Sequence, residues 1–269
     1  MDILVCIKRV PDISGQITLD ASGRDIDHGA LGHTISAHEE CAVELAVQLA
    51  GATDGEVTIL TLGTDDAVEQ LRASLAVGAD DAVLIETEDP GAYGPEDIAF
   101  AIAEAVRTRA NDSRSCDLVL VGNDAADTGD FQVGVRLAYE LDRPVLTGIT
   151  LLRLAEEAAE VDAASEGGPT SVEAYGIGPA GTEVFRLPLP AVVAVQEGGV
   201  EPRYPSIPGR MKAKKAPLDE VDAPEPVHGN PRNALELPPE QSSTVTVLGE
   251  GPEAAGALVD VLDELGVLR

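Results

Sequence analysis

Lysine and aromatic residues are both scarce in this chain. Its 269 residues include 18 Lys plus Arg against 48 Asp plus Glu, which gives a formal net charge of -30. General nucleic-acid binding needs a basic surface, so this charge balance argues against it. Because a surface dense in carboxylates stays hydrated at high salt, we interpret the charge as a halophilic adaptation.

Tryptophan is absent and aromatic residues make up only 3% of the chain, whereas 44% of the residues are hydrophobic. The core must therefore be built from Val, Leu, Ile and Ala. This aliphatic composition suits buried parallel strands and helices that pack through small residues.

The three cysteines, Cys6, Cys41 and Cys116, are far apart and form no CxxC pair. This spacing indicates neither a disulfide framework nor a zinc site. No apolar run approaches the roughly 20 residues of a membrane helix, and the sequence starts with a strand-like segment rather than a signal peptide. We expect a soluble, cytoplasmic protein.

Several enzyme motifs are also missing. There is no GxSxG serine, no P-loop and no SGGxDS-like loop after the first strand. His28, His33, His38 and His228 lie in predicted loops or at a helix start, and we interpret them as surface or loop residues. The sequence "GIGPAG" at 176–181 fits GxGxxG, but a strand-like segment follows where the dinucleotide fingerprint needs a helix. It predicts a turn.

The chain shows predicted strands that alternate with helices up to about residue 148. The strands are predicted at 3–7, 56–63, 81–86 and 116–122. The first helix has a capping-box pattern, with Ser36 three residues before Glu39, and the fourth is predicted near 131–141, beginning about Asp130. Such alternation predicts a parallel sheet with helices on its faces.

Beyond residue 148 the pattern changes to short strands at close spacing, which predict β-hairpins that either extend the sheet or lie against it. Residues 216–243 are rich in proline and acids and predict an extended arm. A strand in "TVTVLGE" and an amphipathic helix are predicted to close the chain. We therefore divide it into a domain at 1–215 and a C-terminal region at 216–269.

The loop "GNDAADTGDFQVG" at 122–134 follows the fourth predicted strand. Open α/β sheets bind ligands at the carboxyl ends of their strands, and backbone N–H groups at the start of the next helix could hold an anion. Taken alone, the loop fits a phosphate site and an ordinary connection equally well.

Three of the four lysines, Lys212, Lys214 and Lys215, stand together beside Arg203 and Arg210. A solvated charge patch is the simplest interpretation, but lysine is suppressed almost everywhere else. The cluster indicates an ordered segment that meets something acidic, either a partner or a phosphate.

This segment, "VEPRYPSIPGRMKAKK", resembles the signature of the electron transfer flavoprotein beta subunits. Three further blocks resemble the same family in the same order: "ILVCIKRVPD", "LRASLAVGADDAVLI" and "DLVLVGNDAADTGDFQVG". The resemblance implies a Rossmann-like parallel sheet of the adenine nucleotide alpha hydrolase-like type, flanked by helices, with added β-hairpins and an extended C-terminal arm.

The resemblance implies an electron carrier rather than an enzyme with its own substrate. In this family the beta subunit pairs with an alpha subunit that holds FAD at the interface. The dimer takes electrons from dehydrogenases and passes them to an acceptor such as a quinone reductase. The beta subunit itself holds AMP, or a second FAD in bifurcating members. Carried over to this chain, the nucleotide pocket comprises Cys6, Ser36, Ala37, His38, Glu39, Leu62, Gly63, Gly122, Asn123, Asp124, Ala125, Asp127, Thr128, Gly129, Asp130, Phe131, Gln132 and Val133.

The resemblance also assigns residues to partner binding, in the signature segment and just before it. They are Gly199, Glu201, Pro202, Arg203, Tyr204, Met211, Lys214 and Lys215. Gly199 and Val200 stand where the family often has a leucine and an asparagine. The alternative function is a stand-alone adenine-nucleotide-binding module of the stress-protein type. The signature segment and the Pro-rich arm argue against this alternative, because a self-contained module needs neither.

Overall fold

The aliphatic runs of the sequence form the strands of one large β-sheet. The structure, a computed structural model, describes residues 1–12, 14–15, 17–155, 170–230, 234–239 and 245–268. Met1–Ala234 and Leu235–Arg269 belong to two separate units, and the sheet lies in the first.

The described strands, in chain order, are β1 (Ile3–Cys6), β2 (Val10–Pro11), β3 (His33–Thr34), β4 (Val57–Gly63), β5 (Asp81–Glu86), β6 (Leu118–Gly122), β7 (Val145–Leu154), β8 (Ser171–Gly178), β9 (Gly181–Pro188), β10 (Ala191–Val195) and β11 (Asp219–Asp222). The described α-helices are α1 (Ala37–Ala52), α2 (Val68–Val77), α3 (Pro95–Asn111), α4 (Val133–Leu141), α5 (Ile207–Ala213) and α6 (Ala254–Glu264).

The large sheet has the strand order β11-β5-β4-β1-β6-β10-β7-β8-β9. Its strands pair in parallel from β11 to β7, and β8 and β9 extend it in antiparallel fashion. The short strands β2 and β3 pair separately. The predicted fold class, a mainly parallel sheet with a hairpin extension, is confirmed. The turn predicted at "GIGPAG" is also confirmed, because it closes the β8–β9 hairpin.

The prediction for β10 was wrong. The close spacing of the short strands indicated another hairpin strand, but β10 lies between β6 and β7 and runs parallel to both. All of its residues are buried. A strand buried on both faces reads as a continuous apolar run, which is typical of the interior of a parallel sheet.

Helices cover both faces of the sheet. Leu45, Leu71 and Ala213, from α1, α2 and α5, are buried on one face, and Ile102 and Leu137, from α3 and α4, are buried on the other. Each buried aliphatic side chain removes apolar surface from water, which is the main driving force for packing these layers.

The helix α5, which carries Arg210 and Lys212 of the basic cluster, lies directly on α2. A Cβ atom added at Gly209 would be 2.3 Å from the carbonyl oxygen of Ala76, so only glycine allows this approach. Arg72 Nη1 donates to the carbonyl oxygen of Ala213 at 2.6 Å and so satisfies the carboxyl end of α5. The basic segment is therefore ordered, as expected.

Residues 216–230 belong to the first unit, although the sequence placed the start of the arm at 216. The strand β11 pairs with β5 at the sheet edge. Asp97, at the start of α3, accepts hydrogen bonds from the backbone N–H groups of residues 227–229. Burial raises the pKa of Asp97, but these hydrogen bonds outweigh it and hold the pKa below its ordinary value. Neighbouring groups thus order a polar segment that lacks a core of its own.

In the second unit, α6 forms as the sequence predicted and leaves Leu258 and Val259 exposed. The strand predicted in "TVTVLGE" is not found in its described part, residues 245–250; Thr244 lies outside the described residues. A strand needs a neighbour to satisfy its backbone groups, and the described part of this unit offers none. None of the described helices is long and apolar enough to span a bilayer.

Candidate functional site

Three neighbouring strands end together at one edge of the sheet. Because β1 lies between β4 and β6 and all three are parallel, Cys6, Leu62–Gly63 and Gly122 mark adjacent strand ends. The helix α1 and the loop at 122–132 start at this same edge. The topology therefore brings together the main segments of the predicted nucleotide pocket.

The loop at 122–132 packs on the first turn of α1. A Cβ atom added at Gly122 would lie 3.1 Å from Glu39 Cγ and 3.5 Å from His38 Cβ. His38 Nε2 lies 2.6 Å from Asp124 Oδ1. On the other side, Lys8 Nζ lies 2.7 Å from Asp127 Oδ1. Cationic or polar neighbours thus hold two of the three carboxylates of the loop.

Glu39 links the end of β1 to the start of α1. Its carboxylate accepts from the backbone N–H of Ser36 at 2.9 Å and of Lys8 at 2.8 Å, while Ser36 Oγ accepts from the Glu39 N–H. The predicted capping box is therefore confirmed. Glu39 is only 7% exposed. Burial raises its pKa to about 7, although the hydrogen bonds from Ser36 and Lys8 oppose that change.

The start of α4 is free of a side-chain cap. The helix begins at Val133 rather than near Asp130, and its N-cap, Gln132, makes no capping hydrogen bond. Gln132 Nε2 instead donates to Asp130 Oδ1, and Gln132 Oε1 accepts from Arg136. The first N–H groups of an α-helix have no acceptor within the helix, so this end can receive an anion.

Not every predicted pocket residue faces the strand ends. Phe131 and Gln132 line a groove of about 480 Å³ between α3 and α4, and Thr128 and Gly129 are exposed. Cys6 is buried, and burial raises the pKa of its thiol well above the ordinary range. The thiol can therefore pack against a ligand but is a poor nucleophile.

The partner segment, which we define as residues 197–203, lies along α1. Arg203 Nε and Nη2 donate to the two carboxylate oxygens of Glu44, each at 2.7 Å. Glu44 is only 3% exposed. Burial raises its pKa, but hydrogen bonds from Arg203 and Gln48 outweigh this and leave the pKa below its ordinary value. Arg203, which the resemblance assigned to partner binding, thus anchors the segment within its own subunit.

Gly199, in the partner segment, packs closely against strand β7 of the sheet. A Cβ atom added there would lie 2.1 Å from the carbonyl oxygen of Thr150, on β7. A side chain such as the leucine common in the family does not fit without a shift of the backbone, so Gly199 can offer a partner only its backbone.

The other predicted partner residues are exposed to solvent, apart from the half-buried Pro202. Tyr204 is 94% exposed and Met211 is 64% exposed, and Ile207, between them, is 78% exposed. Lys214 and Lys215 are exposed as well. The signature segment, residues 200–215, thus has a fixed backbone and presents exposed apolar and basic side chains.

Residues 26–226 match the family model described as the electron transfer flavoprotein domain. The chain belongs to the electron transfer flavoprotein family. An electron transfer flavoprotein subunit beta from Bacillus subtilis is 36% identical over 269 residues, which cover 97% of each chain. Another from Syntrophomonas wolfei is 33% identical, over 81% of this chain and 78% of the relative. Protein FixA from Sinorhizobium fredii is 31% identical, over 81% and 73%.

These relatives confirm the resemblance that the sequence showed. The chain is an electron transfer subunit of the beta type in a heterodimeric electron transfer flavoprotein. They give no support to the alternative of a stand-alone stress-protein-type module.

The structure adds three residues to the candidate site of this electron transfer flavoprotein that the sequence did not single out: Lys8, Glu44 and Glu197. Lys8 could have been found, because it is one of only four lysines. Glu44 is one acid among 48 Asp plus Glu, and Glu197 acts through its backbone N–H, so neither gives a sequence signal. Among the described residues, no group of three His, Cys, Asp or Glu side chains is placed to hold a metal ion.

We predict that Arg203→Ala lowers the free energy of unfolding by roughly 2 kcal/mol, because Glu44 loses its main partner while it stays buried. This loss is smaller than the loss expected for a fully buried ion pair, since the guanidinium of Arg203 is partly solvated. Urea unfolding measures the loss. The double variant Arg203→Ala with Glu44→Gln should regain most of it, because the buried charge is gone. An equal loss in both variants would contradict this account.

A second prediction concerns pH. Burial raises the folded-state pKa of Glu39 from 4.5 to about 7, so the folded protein keeps a proton that the unfolded chain has lost. Its stability must then fall as pH rises through that window. We expect wild type to lose stability relative to Glu39→Gln between pH 4.5 and 7, as measured by urea unfolding at each pH. The two proteins share all other carboxylates, so a pH-independent difference would refute the assignment.

Proposed function

We propose that this chain binds an alpha subunit that holds FAD at the interface, and that the dimer carries electrons from dehydrogenases to a quinone reductase or another acceptor. The observation that carries the proposal is the arrangement of the partner segment, Tyr204 and α5. Its backbone is held by Glu44, Thr150 and α2, while Tyr204 and Met211 stay almost free. An ordered backbone that presents free aromatic and apolar side chains is typical of a protein interface.

The charge of this surface supports a protein partner. Lys212, Lys214 and Lys215 stand beside Met211 in a chain of net charge -30, so they can attract an acidic partner to one place. A second surface is the edge strand β9, where Val184 and the neighbouring Ile177 of β8 are exposed. Edge strands with exposed apolar side chains are usually covered. We assign both surfaces, together with residues 235–269, to contact with the alpha subunit.

We further propose that the strand ends hold an adenine nucleotide, either AMP or a second FAD. The residues present fit such a group: the start of α4 is uncapped, Lys8 lies beside the loop, and Leu62 offers an aliphatic surface. The N–H groups of α4 would hold phosphate. A bound flavin supplies the redox chemistry, and this chain positions it and excludes water.

The chain itself acts as an electron carrier subunit, not as an enzyme with its own substrate. A relative from Anaerotignum propionicum, 27% identical over its full length, is named acryloyl-CoA reductase electron transfer subunit gamma, which supports a carrier role inside larger complexes. All three cysteines are free thiols, as expected in a reducing compartment such as the cytoplasm.

The proposal is tested by co-expression with an electron transfer flavoprotein alpha subunit of the same organism. The two chains should elute together in a 1:1 ratio and show the visible absorbance of a flavin. Nucleotides released by denaturation and separated by chromatography should include AMP, or FAD beyond one per dimer. An isolated chain that stays monomeric and ignores the alpha subunit would contradict the proposal.

For the nucleotide site we predict that Gly122→Val releases nucleotide. Even one added carbon would lie 3.1 Å from Glu39 Cγ, and two further methyl groups must push the loop away from α1. Nucleotide content per mole of purified heterodimer should fall severalfold. Gly51→Val, in open space near the far end of α1, is the matched control and should leave the content unchanged. Equal content in both variants would argue against the site.

The halophilic interpretation is also part of this proposal. With a net charge of -30, repulsion within the chain weakens as the Debye length falls from roughly 30 Å at 0.01 M salt to about 3 Å at 1 M. We predict that both the melting temperature and the affinity for the alpha subunit rise with potassium chloride over this range. A complex that tightens as salt is removed would show that local pairing by the lysine cluster dominates, and would refute the halophilic interpretation.

A further inference from the structure

His38 lies between the nucleotide loop and the partner segment and contacts both. Its Nε2 is 2.6 Å from Asp124 Oδ1, and its Nδ1 accepts from the backbone N–H of Glu197 at 3.1 Å. We propose that His38 is a positioning residue that couples the occupancy of the nucleotide site to the conformation of residues 197–203. This inference rests on the proposed adenine-nucleotide site.

The two hydrogen bonds determine which nitrogen of the His38 ring carries the proton. Because Nδ1 accepts from an N–H group, it carries no proton, and the proton of the neutral imidazole sits on Nε2, where it points at Asp124. A single rigid ring thus joins two segments that are distant in the sequence. A movement of Asp124 that keeps its hydrogen bond must turn or shift the ring at Glu197.

Each of these segments is anchored just before the residue that His38 holds. In the loop, Asn123 donates its N–H to Val195 O at 2.8 Å, and its Oδ1 accepts from the Gly148 N–H at 2.7 Å. Just before the partner segment, the Gln196 N–H donates to Ile149 O at 2.8 Å. Asp124 and Glu197 are therefore the first residues beyond the fixed strand ends, and they are the points where a displacement can begin.

The far end of the partner segment is fixed too. Along α1, Cys41 Sγ donates to Val200 O at 3.6 Å, and Glu44 holds Arg203. With His38, these residues are spaced three apart and lie on one side of the helix. A shift at Glu197 is therefore confined to the residues before Arg203. Gly198, with φ of 100°, is a position there that can absorb a change in backbone angle.

The test is hydrogen–deuterium exchange of the full chain with and without AMP, with AMP binding measured first by calorimetry. At saturating AMP, wild type should show exchange in peptides covering 197–203 slowed severalfold. In His38→Phe, which keeps a planar ring but neither hydrogen bond, this AMP response should disappear, with each variant compared at its own saturating AMP concentration.

Two further variants separate the two hydrogen bonds. The amide oxygen of His38→Asn can replace Nδ1 toward Glu197, and the amide nitrogen of His38→Gln can replace Nε2 toward Asp124. Asn should keep the slow exchange of the Glu197 N–H without AMP yet lose the response to AMP. Gln should lose the slow exchange of the Glu197 N–H as well. A merely structural role would lower protection without removing the response.

Three outcomes would overturn the inference. The first is an undiminished AMP response in His38→Phe, or in both His38→Asn and His38→Gln should the Phe variant fail to fold. The second is wild type that binds AMP with no change in residues 197–203; this leaves the proposed nucleotide site intact. The third is wild type that binds neither AMP nor FAD in the calorimeter, which overturns the nucleotide site and the coupling together; where only FAD binds, FAD replaces AMP in the exchange experiment.

Discussion

The buried carboxylate of Glu44 determines the course of the chain beside the site. A charge that is 97% removed from solvent is strongly destabilising without a partner, and Arg203 supplies that partner in bidentate form. The partner segment must therefore run along α1 before the chain turns into α5. This placement leaves Tyr204 facing solvent and brings α5 onto α2, where Arg72 satisfies its carboxyl end.

The scarcity of lysine gains a structural meaning from these contacts. Lys8 pairs with Asp127 of the loop, and the remaining lysines cluster at α5 beside exposed apolar side chains. In a chain with 48 acids, an exposed lysine lies where it meets a particular carboxylate inside the chain or, as we propose, on a partner. Each lysine thus lies at the proposed nucleotide site or at the proposed interface.

Most of the fold could be predicted because its signals are local. Aliphatic runs and capping residues such as Ser36 are read within a few positions, and they gave the strands and helices before residue 148. The position of β10 and the course of residues 216–230 could not be predicted from such local signals. β10 is placed by two strands far away in the sequence, and residues 227–229 are held by one carboxylate, Asp97. Such long-range contacts leave no periodicity in the sequence.

The same distinction between what the sequence predicts and what depends on long-range contacts applies to the candidate site. Position at the strand ends follows from topology, so Gly122 and the first turn of α1 could be placed near each other from the order of the strands. The contacts that hold the partner segment on α1, from His38 to Glu197 and from Glu44 to Arg203, each join residues 159 positions apart. Both pairs use α1, whose first turn contacts the loop and Glu197 through His38 and whose next turn holds the rest of the partner segment. Because a helix packed on a sheet moves as one body, the nucleotide that we propose at its start and the partner segment along its side share one rigid support.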